Sequence, residues 1–416
     1  MKIAILTSGF FPVIDGVTIT VWNRIQRLSQ QGHQVLLLCP DYRPIAAVYP
    51  DWQRYVGEIL PGITVVALPS APFMGLDFER NVKKSAYPIL LEALAKFQPD
   101  LIHIDEPERL QLGFDRIPAV EFSKQEKIPC VAFLHTNFIQ YLEDYFALPA
   151  LIIKLMQLFS RRIVASIYNA YDITLVSSQI TYQQAQQMGI KNLIQAELLG
   201  VNLRDFQPDL RSKNFFAKQY DISHIDSQIK LVFLCRLTPD KGWQFLLDAF
   251  SQMAKQAHYR SLLERVTLII AGDGSMRAEI AAKLSVLPSV HLLGRVAPVD
   301  VPALLLNSDI HITASEKETR GLTVLEAFAA GLPVIAPRAG GVIDSIQPGQ
   351  NGFLFEPQNW VDFATFLEQL VNDAPLRQRM STMARQTATA YDWDAAVERL
   401  VHLWQTQIER QGRLSQ

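Results

Sequence analysis

The sequence predicts an α/β protein built from two doubly wound domains. Its 416 residues are too many for one ordinary hydrophobic core. Short apolar runs alternate with helical patterns in the first half, and the alternation starts again in the second half. A polar stretch at Gly200–Gln228, which contains Pro208 and has no strong strand pattern, lies between them. This order predicts parallel sheets with helices on both faces.

In the first half, the apolar runs have the length and composition of buried strands. A helical pattern at Thr18–Gln31 follows the first run and ends before Gly32, a residue suited to a helix C-terminus. The strands are predicted at Lys2–Leu6, Gln34–Cys39, Leu101–Ile104, Cys130–Leu134 and Ile173–Val176.

The second half repeats this architecture without repeating the sequence. A last helix from Trp393 to about Gln411 has one apolar face, and Asp392 or Asp394 would cap its start. We expect residues 1–204 plus 393–416 to form one domain, residues 205–392 to form the other, and ligands to bind in a cleft at the carboxyl ends of the strands. The strands of this half are predicted at Lys230–Leu234, Val266–Ala271, Val290–Leu293, Ile310–Thr313, Pro333–Ala336 and Gly352–Phe355.

Composition favours a cytoplasmic protein that does not bind nucleic acid. The formal net charge is −2, which gives a nucleic-acid role no electrostatic support. Cys39, Cys130 and Cys235 lie at or inside apolar runs, which predicts buried thiols in a reducing compartment. The first residues contain no stretch typical of an export signal, so we expect none.

The most hydrophobic window is Leu148–Tyr168. Lys154, Arg161 and Arg162 interrupt it, so it falls short of the roughly 20 apolar residues that a membrane span needs. These bases are spaced so that they lie close to one helical face. A core helix with a solvated basic edge is favoured over a helix that lies on a membrane surface.

Two carboxylates stand on either side of a predicted helix start. Glu318 precedes the helix, Glu326 lies within it, and Gly321 is between them. The first backbone N–H groups of a helix are unpaired and lie at its positive end, which suits a phosphate. Ionised carboxylates accept hydrogen bonds from sugar hydroxyls. This segment therefore predicts a site for a nucleotide sugar.

Two cations follow a buried strand in the same half. Arg236 and Lys241 offer a planar fork and a point charge, a combination that suits a diphosphate, although surface cations after a strand are common. Gly272-Asp273-Gly274 follows another strand but lacks the third glycine of a dinucleotide-binding turn. A structural turn is favoured there, and an NAD site is poorly supported.

The first half offers weaker candidates. Gly16 opens a helix, and an ordinary turn there is as well supported as a close approach to a ligand. His135 ends a buried strand at the predicted cleft, which favours function over a purely structural role. Asp105, Glu106 and Glu108 follow the preceding strand and fit either the cleft or a solvated loop.

No metal site is predicted. No His or Cys cluster has ligand spacing, and Asp392-Trp393-Asp394 is better explained by helix capping. A Walker A motif is absent from the sequence, which argues against a kinase or an ATPase.

With these residues assembled, the chain resembles the retaining glycosyltransferase family 4, whose members have the two-domain GT-B fold. The resemblance covers nearly the whole chain and is most specific in the second half. The motifs that carry it are Arg236 with Lys241, Gly272-Asp273-Gly274, Gly294-Arg295-Val296, Glu318 with Glu326, Ala327–Pro333 and Gly340-Gly341.

The resemblance implies a nucleotide-diphosphate sugar as substrate, with no cofactor and no metal. The domain of residues 205–392 would bind this donor, and the other domain would bind the acceptor. Arg236 and Lys241 would hold the diphosphate, Glu326 the ribose hydroxyls and Glu318 the transferred hexose, which leaves with retention of configuration. The remaining implied contacts are the backbone N–H groups of Gly321, Leu322 and Thr323, Val296 at the base, His135 at the reacting sugar, and Gly16 near the phosphate and acceptor.

Three positions depart from the family pattern. Cys235 stands where a glycine is usual, and Gly16 is a single glycine where many members have two. Arg320 replaces a small or aromatic residue before Gly321, which predicts an additional cation beside the donor sugar.

The acceptor is the less specific half of the prediction. His135–Tyr141 and Ile14-Asp15-Gly16 resemble the lipid-modifying branch, which includes sulfoquinovosyl- and galactosyl-diacylglycerol synthases and phosphatidylinositol mannosyltransferases. This resemblance implies a diacylglycerol-type acceptor and a peripheral enzyme on the cytoplasmic face of a membrane, in contact with it through Leu148–Tyr168. The alternatives are a soluble sugar or polysaccharide acceptor, a non-catalytic nucleotide-sugar-binding protein, and a nucleotide-sugar epimerase related by fold.

Overall fold

A computed structural model describes residues 1–73, 76–135 and 149–414. The chain divides into two compact units. The described residues of the first unit lie within Met1–Ile139, Ala150–Leu199 and Trp393–Gln416, and the second unit contains Gly200–Asp392. The last helix therefore belongs to the first unit, and the predicted boundary at residue 205 lies close to Gly200.

The first unit is built on a largely parallel sheet. Its strands are β1 (Lys2–Thr7), β2 (Gln34–Pro40), β3 (Gly57–Leu60), β4 (Ile63–Leu68), β7 (Leu101–Asp105), β8 (Cys130–Phe133), β9 (Ile173–Val176) and β10 (Leu193–Gln195), and a separate antiparallel pair is formed by β5 (Ser70–Phe73) and β6 (Leu76–Val82). Among the described residues, the strand order in the main sheet of this unit is β10-β9-β8-β7-β1-β2-β4-β3, with β3 antiparallel to β4.

The second unit contains a parallel sheet with apolar side chains on both faces. Its strands are β11 (Ile229–Leu234), β12 (Val266–Ala271), β13 (Val290–Gly294), β14 (Ile310–Ile312), β15 (Val334–Pro337) and β16 (Gly352–Phe355), in the order β13-β12-β11-β14-β15-β16. Leu231 and Phe233 belong to one core cluster and Val232 to another, because successive side chains of a strand point to opposite faces.

Helices connect the strands and cover the sheets. In the first unit they are α1 (Gly16–Gln30), α2 (Tyr87–Phe97), α3 (Pro107–Phe114), α4 (Val120–Glu126), α5 (Ala150–Tyr168) and α6 (Gln179–Met188). The second unit contributes α7 (Phe215–Tyr220), α8 (Trp243–Lys255), α9 (Ala257–Leu263), α10 (Arg277–Leu284), α11 (Val301–Leu306), α12 (Leu322–Ala330), α13 (Trp360–Asn372) and α14 (Ala374–Ala388), and α15 (Trp393–Leu414) returns to the first.

The start of α1 differs from the prediction by two residues for a local reason. The Asp15 carboxylate accepts a hydrogen bond of 2.8 Å from the Thr18 backbone N–H, so Asp15 is the N-cap and Gly16 is the first helical residue. The strands β3, β4, β5, β6 and β10 were not predicted. β3 and β10 are short and only partly buried, and β5 contains Pro72, which weakens the strand pattern.

Parallel pairing brings distant segments to one edge of each sheet. In the first unit β7 pairs with both β1 and β8, so the residues that follow these strands meet at their carboxyl ends. In the second unit β11 pairs with both β12 and β14. Within the described ranges, no helix is both long and apolar enough to cross a membrane.

Candidate functional site

The two parts of the predicted donor site meet in the second unit. Lys241 ends the turn that follows β11, and Glu318 lies in the loop after β14. The Lys241 ammonium Nζ lies 2.7 Å from the Glu318 carboxylate Oε1, although the two residues are 77 positions apart. Their side chains are 14% and 25% exposed, so the pair is partly accessible to a ligand.

A buried carboxylate that the sequence analysis missed lies beneath both predicted cations. Asp240 Oδ2 is 3.3 Å from Arg236 Nη2 and 3.8 Å from Lys241 Nζ, and the Asp240 side chain is fully buried. The Arg236 side chain is 40% exposed. Asp240 therefore holds both cations on the same side of the turn. The sequence could have indicated this role, because Asp240 lies between Arg236 and Lys241.

The ionisation of Glu318 depends on the neighbouring Lys241 cation. Burial alone would raise the pKa of the Glu318 carboxyl. The adjacent Lys241 charge and hydrogen bonds from Lys241 and Ser315 outweigh burial and hold this pKa below its usual value. Glu318 is therefore a carboxylate at neutral pH.

The predicted helix start is present as α12. Its N-cap is Gly321, which has a φ of 78° and no side chain that could cap the helix. The N–H groups of Leu322 and Thr323 lie in the first turn, where the helix dipole favours an anion. Glu326 lies in the second turn and is half-buried, and burial raises its pKa to about 7.

Glycines allow the loop that carries Glu318 to lie against a neighbouring turn. The Gly341 N–H donates a hydrogen bond of 2.6 Å to the Glu318 carbonyl oxygen. A Cβ on Gly340 would lie 2.6 Å from the same oxygen, and a Cβ on Gly341 would overlap the Thr319 carbonyl oxygen. The Gly340-Gly341 pair is therefore required by this close backbone approach.

The turn at Gly272-Asp273-Gly274 has a structural function, which agrees with the preferred interpretation of the sequence. The Leu237 N–H donates to the Asp273 carbonyl over 3.0 Å. A Cβ on Gly272 or Gly274 would overlap the carbonyl oxygens of residues 235 and 237. The turn thus supports the loop that carries Arg236. The Gly294 carbonyl accepts a hydrogen bond from the Gly272 N–H, and the half-buried Val296 follows two residues after Gly294.

The prediction that Arg320 places an additional cation beside the donor sugar is wrong, because its side chain is buried. The side chain is 1% exposed, and its Nη1 lies 3.5 Å from Asp344 Oδ2. The guanidinium also lies over the Tyr391 ring, 4.6 Å from the ring centroid. The cation is used inside the second unit, where it ties the Glu318 loop to the segment before α15.

In the first unit, His135 lies in a buried polar cluster. His135 Nε2 is 2.6 Å from Asp105 Oδ1, and Asp105 also contacts His103 Nε2 and Arg24 Nη1. Asp105 is fully buried, so the solvated-loop alternative is wrong for this residue. Only 4% of the His135 side chain is exposed, so any contact with a substrate uses a small part of the ring.

Glu106 and Glu108 are also buried, which excludes the solvated loop for them too. The Ser8 hydroxyl donates to Glu106, and the Tyr168 hydroxyl donates to Glu108 over 2.5 Å. Burial, followed by the charge of Glu106, raises the pKa of Glu108 to about 8.

The remaining predicted positions are less informative. Gly16 is exposed at the start of α1. The segment Thr136–Tyr141, which carries the acceptor resemblance, lies outside the described residues. Asp394 lies in the first turn of α15, where it accepts a hydrogen bond of 2.6 Å from Arg27 Nε.

The described residues contain no cluster of three or more His, Cys, Asp or Glu side chains that could hold a metal ion.

Two protein-family models match the chain. The model described as glycosyl transferases group 1 matches residues 216–387, and the model described as glycosyltransferase family 4 matches residues 14–205. Together these matches take in most of both units. The motif-based resemblance found in the sequence is thereby confirmed.

Curated relatives and solved structures agree with these matches. The sulfoquinovosyl transferase SQD2 of Arabidopsis thaliana is 28% identical over 94% of this chain and 70% of its own length. An alpha-monoglucosyldiacylglycerol synthase of Streptococcus pneumoniae is 26% identical over 81% of this chain and 71% of its own length.

Among solved structures, the sucrose-phosphate synthase of Thermosynechococcus elongatus has a TM-score of 0.76 at 18% identity, with 98% of this chain and 99% of that chain covered. Anabaena HepE, solved in complex with UDP and glucose, has a TM-score of 0.72 at 19% identity, with coverage of 98% and 100%. These neighbours confirm the predicted GT-B fold, with two Rossmann-like domains.

Proposed function

Because the chain belongs to glycosyltransferase family 4, we propose that it moves a hexose from a nucleotide-diphosphate sugar to a hydroxyl of a diacylglycerol-type lipid, with retention of configuration. Sugar transfer follows from the family. The donor residues, the stereochemistry, the absence of a metal requirement and the lipid acceptor are the proposal.

The contact between Lys241 and Glu318 is the observation that carries the donor site. It places an ammonium group 2.7 Å from a carboxylate, Glu318, that lies in the loop just before the N-terminus of α12. A nucleotide-diphosphate sugar needs these groups together, since its phosphates are anions and its sugar presents hydroxyls. Anabaena HepE has been solved with UDP-glucose, which supports a nucleotide sugar as donor.

We assign the remaining contacts by position. Arg236 and Lys241 would bind the diphosphate, Glu318 the hexose and Glu326 the ribose hydroxyls. Leu322 and Thr323, with Gly321, would donate backbone N–H groups to phosphate oxygens. Val296 follows Gly294 at the edge of the second sheet, where it would contact the base.

The chemistry needs the bond from the anomeric carbon to the phosphate oxygen to break while a bond to the acceptor oxygen forms on the same face. The acceptor hydroxyl passes its proton to the departing phosphate oxygen. The leaving diphosphate gains negative charge, which Arg236, Lys241 and the positive end of α12 would stabilise. These groups supply the charge that a divalent metal supplies in other enzymes. His135 would contact the reacting sugar.

A lipid acceptor is supported by the names of relatives and by the surface of α5. Relatives include the sulfoquinovosyl transferase and the monoglucosyldiacylglycerol synthase described above. The sequence analysis favoured a core helix at this position, but large apolar side chains of α5 are exposed. These are Leu151, Ile152, Leu155, Leu158, Phe159 and Ile163, with exposed fractions from 43% to 71%.

The exposed part of α5 has the chemistry of a membrane-surface helix. Leu151, Leu155 and Leu158 are spaced so that they share one face, and the exposed Lys154 and Arg161 lie on that face. Apolar side chains flanked by bases bind the interface of an anionic bilayer. Other side chains of α5, such as Ile153 and Ile167, are buried in the first unit. The helix would thus bring a lipid acceptor to the enzyme.

The function is tested with a panel of UDP-, GDP- and ADP-sugars, presented with diacylglycerol vesicles or with free sugars and analysed by mass spectrometry. We expect a glycosylated lipid with one of these donors in the presence of EDTA. Product on free sugars alone would contradict the lipid acceptor. Calorimetric binding of a nucleotide without turnover of any sugar would identify a non-catalytic binding protein.

The role of α5 is tested by flotation with vesicles that contain anionic lipid. Each base near such a surface contributes about 1 kcal/mol, so the Lys154→Ala/Arg161→Ala/Arg162→Ala variant should bind about 100-fold more weakly. The matched control replaces three exposed lysines on other elements, and unchanged binding of the α5 variant would contradict the membrane contact. These lysines are Lys96, Lys124 and Lys191.

A further inference from the structure

A short turn in the second unit holds both ends of the loop that carries Glu318. The donor loop runs from Glu318 to Gly321, and the supporting turn is Gly340–Asp344. The Gly341 N–H of the supporting turn donates a hydrogen bond of 2.6 Å to the Glu318 carbonyl oxygen. A Cβ on Gly321 would lie 2.8 Å from Val342 Cγ1, so the N-cap of α12 packs against the same turn. The supporting turn therefore sets the positions of Glu318 and of the helix N-terminus together.

Arg320 lies inside the donor loop and joins it to another segment of the second unit. Its side chain is 1% exposed, and its Nη1 lies 3.5 Å from Asp344 Oδ2, at the end of the supporting turn. The guanidinium also lies over the Tyr391 ring, 4.6 Å from the ring centroid. A guanidinium is planar, so one side chain can stack on a ring and pair with a carboxylate at the same time. The donor loop is thereby linked to Tyr391 by a buried side chain.

Tyr391 lies where the second unit ends. Its carbonyl oxygen accepts a hydrogen bond of 2.8 Å from the Val201 N–H, and Val201 forms a parallel bridge with Asp392. The chain leaves the first unit after Leu199 and returns to it at Trp393. This terminal bridge therefore joins the first and last few residues of the segment between them, and the guanidinium of the donor loop contacts one side of it.

We propose that Arg320 is a positioning residue that couples a nucleotide sugar bound at the donor loop to the terminal bridge. Under the proposed function, on which this inference rests, Glu318 contacts the hexose and the N–H groups at the start of α12 contact the phosphates. A ligand that spans these groups restrains the donor loop on both sides of Arg320. Because the guanidinium lies on the Tyr391 ring, the restraint extends to Tyr391, whose carbonyl then holds the Val201 N–H more firmly. Arg320 itself stays buried and does not touch the donor.

The coupling is reciprocal, so it can be measured from either end. If a nucleotide strengthens the terminal bridge, an intact bridge must strengthen nucleotide binding by the same factor. Coupling between two sites in a protein typically amounts to about 5- to 150-fold. We expect a factor of about 10, near the lower end of this range, because the link is a single side chain.

The test measures hydrogen exchange of the Val201 amide by mass spectrometry, without nucleotide and with whichever of UDP, GDP or ADP binds best in calorimetry. Exchange reports how often the hydrogen bond to Tyr391 opens. In the wild-type protein, we expect the nucleotide to slow this exchange about tenfold. In Arg320→Leu, we expect no slowing at saturating nucleotide, together with an affinity about tenfold lower. The matched control is Arg379→Leu, which replaces an exposed arginine of the same unit and should behave like the wild type.

A second pair of variants decides the question if Arg320→Leu does not fold. Tyr391→Leu removes the ring but leaves the backbone carbonyl that accepts from Val201, so we expect nucleotide binding without slower exchange. Tyr391→Phe keeps the ring and should restore the slowing. A role in folding alone would depend neither on nucleotide nor on an aromatic ring at this position. Absence of slowing in Tyr391→Phe would overturn the ring contact as the link.

The outcomes separate this inference from the proposed function. Equal slowing in the wild type and in a folded Arg320→Leu variant would overturn the coupling and leave the donor site intact. If no nucleotide binds to the wild type, the proposed donor site is wrong, and the nucleotide-free proteins decide the link. Faster exchange at Val201 in Arg320→Leu than in the wild type and Arg379→Leu would then uphold the link to the terminal bridge, and equal exchange would overturn it.

Discussion

The two units each hold an ion pair of similar length near the carboxyl ends of their strands, but the pairs differ in burial. In the first unit, Arg24 and Asp105 are 2.9 Å apart, with side chains 1% and 0% exposed. In the second unit, Lys241 and Glu318 are 2.7 Å apart, with side chains 14% and 25% exposed. The charges and distances are similar in the two pairs, and they differ in how far solvent or a ligand can reach them.

Access decides what each pair can do. The Asp105 oxygens are used by Arg24 and two histidines, and water does not reach them. That pair is part of the folded framework. Glu318 and Lys241 can exchange their contact with each other for contacts with a ligand, since neither is fully buried. This difference in access supports a structural role for the first pair and the proposed donor-binding role for the second.

The largest effect on stability is expected from Asp105→Ala. This change leaves the Arg24 cation buried without its carboxylate partner, and removing one partner of a buried pair typically costs about 3–5 kcal/mol. Urea unfolding followed by tryptophan fluorescence would measure this loss in the free energy of unfolding. The matched control is Asp115→Asn in the same unit, where the pair with Lys84 is 2.7 Å long, both side chains are mostly exposed, and asparagine tolerates the left-handed φ of 60° at this position. That variant should unfold like the wild type.

The stabilising effect of Asp105 also has a defined pH dependence. Its pKa in the folded protein lies well below the usual value, so its contribution is present above the unfolded pKa of about 4. The contribution is lost as pH falls towards the folded pKa. The stability difference between wild type and Asp105→Ala should narrow below about pH 4. A difference independent of pH would show that Asp105 acts by packing rather than by charge.

The second prediction concerns the accessible pair and affects activity rather than stability. Lys241→Met removes a cation that would stabilise the leaving diphosphate, so kcat/KM for sugar transfer should fall by about 10²–10³. Urea unfolding should show that the variant still folds, because the buried Asp240 keeps its contact with Arg236. Initial rates with the donor found in the screen would measure the effect.

The matched control for this prediction is Lys283→Met. Lys283 pairs with Glu279 at 2.8 Å on the surface of the same unit, so the variant removes a similar ion pair elsewhere. Its kcat/KM should equal that of the wild type. Equal losses in the two lysine variants would mean that net charge, and not the position of Lys241, determines the rate.

The predictable part of the fold follows from burial. Strands such as Ile173–Val176 and Val266–Ala271 are apolar along their whole length because both faces of a parallel sheet are covered, and their observed bounds match the predicted ones. The strand Ile63–Leu68 was missed although it contains an apolar run. Its neighbour β3 pairs antiparallel at the sheet edge, outside the strand–helix alternation on which the prediction was based.

Candidate site residues could be chosen from the sequence where the chemistry requires a particular residue type. Whether a side chain is buried could not be predicted where its burial depends on a partner that is distant in sequence. Lys241 and Glu318 were chosen as donor-site candidates from phosphate and hydroxyl chemistry, and in the structure their side chains are in contact. Asp105 was ambiguous, because its burial depends on Arg24, which lies 81 positions earlier. Arg320 was misplaced for the same reason, since its direction is set by Asp344 and the Tyr391 ring.

The smallest predicted effect concerns Glu326 and sharpens the comparison between the pairs. Asp105 and Glu326 are both carboxyls in sites that disfavour charge, but Asp105 has a cation in contact and its pKa falls, whereas burial raises the pKa of Glu326 to about 7. Above this pKa Glu326 is a carboxylate that can accept hydrogen bonds from ribose hydroxyls. Below it, the protonated group loses acceptor capacity. The donor KM should therefore rise as pH falls from about 8 to about 6, approaching a tenfold increase per pH unit at the acid end.

Donor KM measured across this pH range would test the assignment, with Glu326→Gln as the matched variant. The amide cannot ionise, so its KM should be high and nearly independent of pH, close to the wild-type value at low pH. Ionisation of the donor phosphates would affect both proteins alike, so a pH dependence present only in the wild type belongs to Glu326. Parallel profiles in the two proteins would exclude Glu326 from donor binding. They would also show that a carboxyl without a paired cation, unlike Glu318, does not contribute to the site.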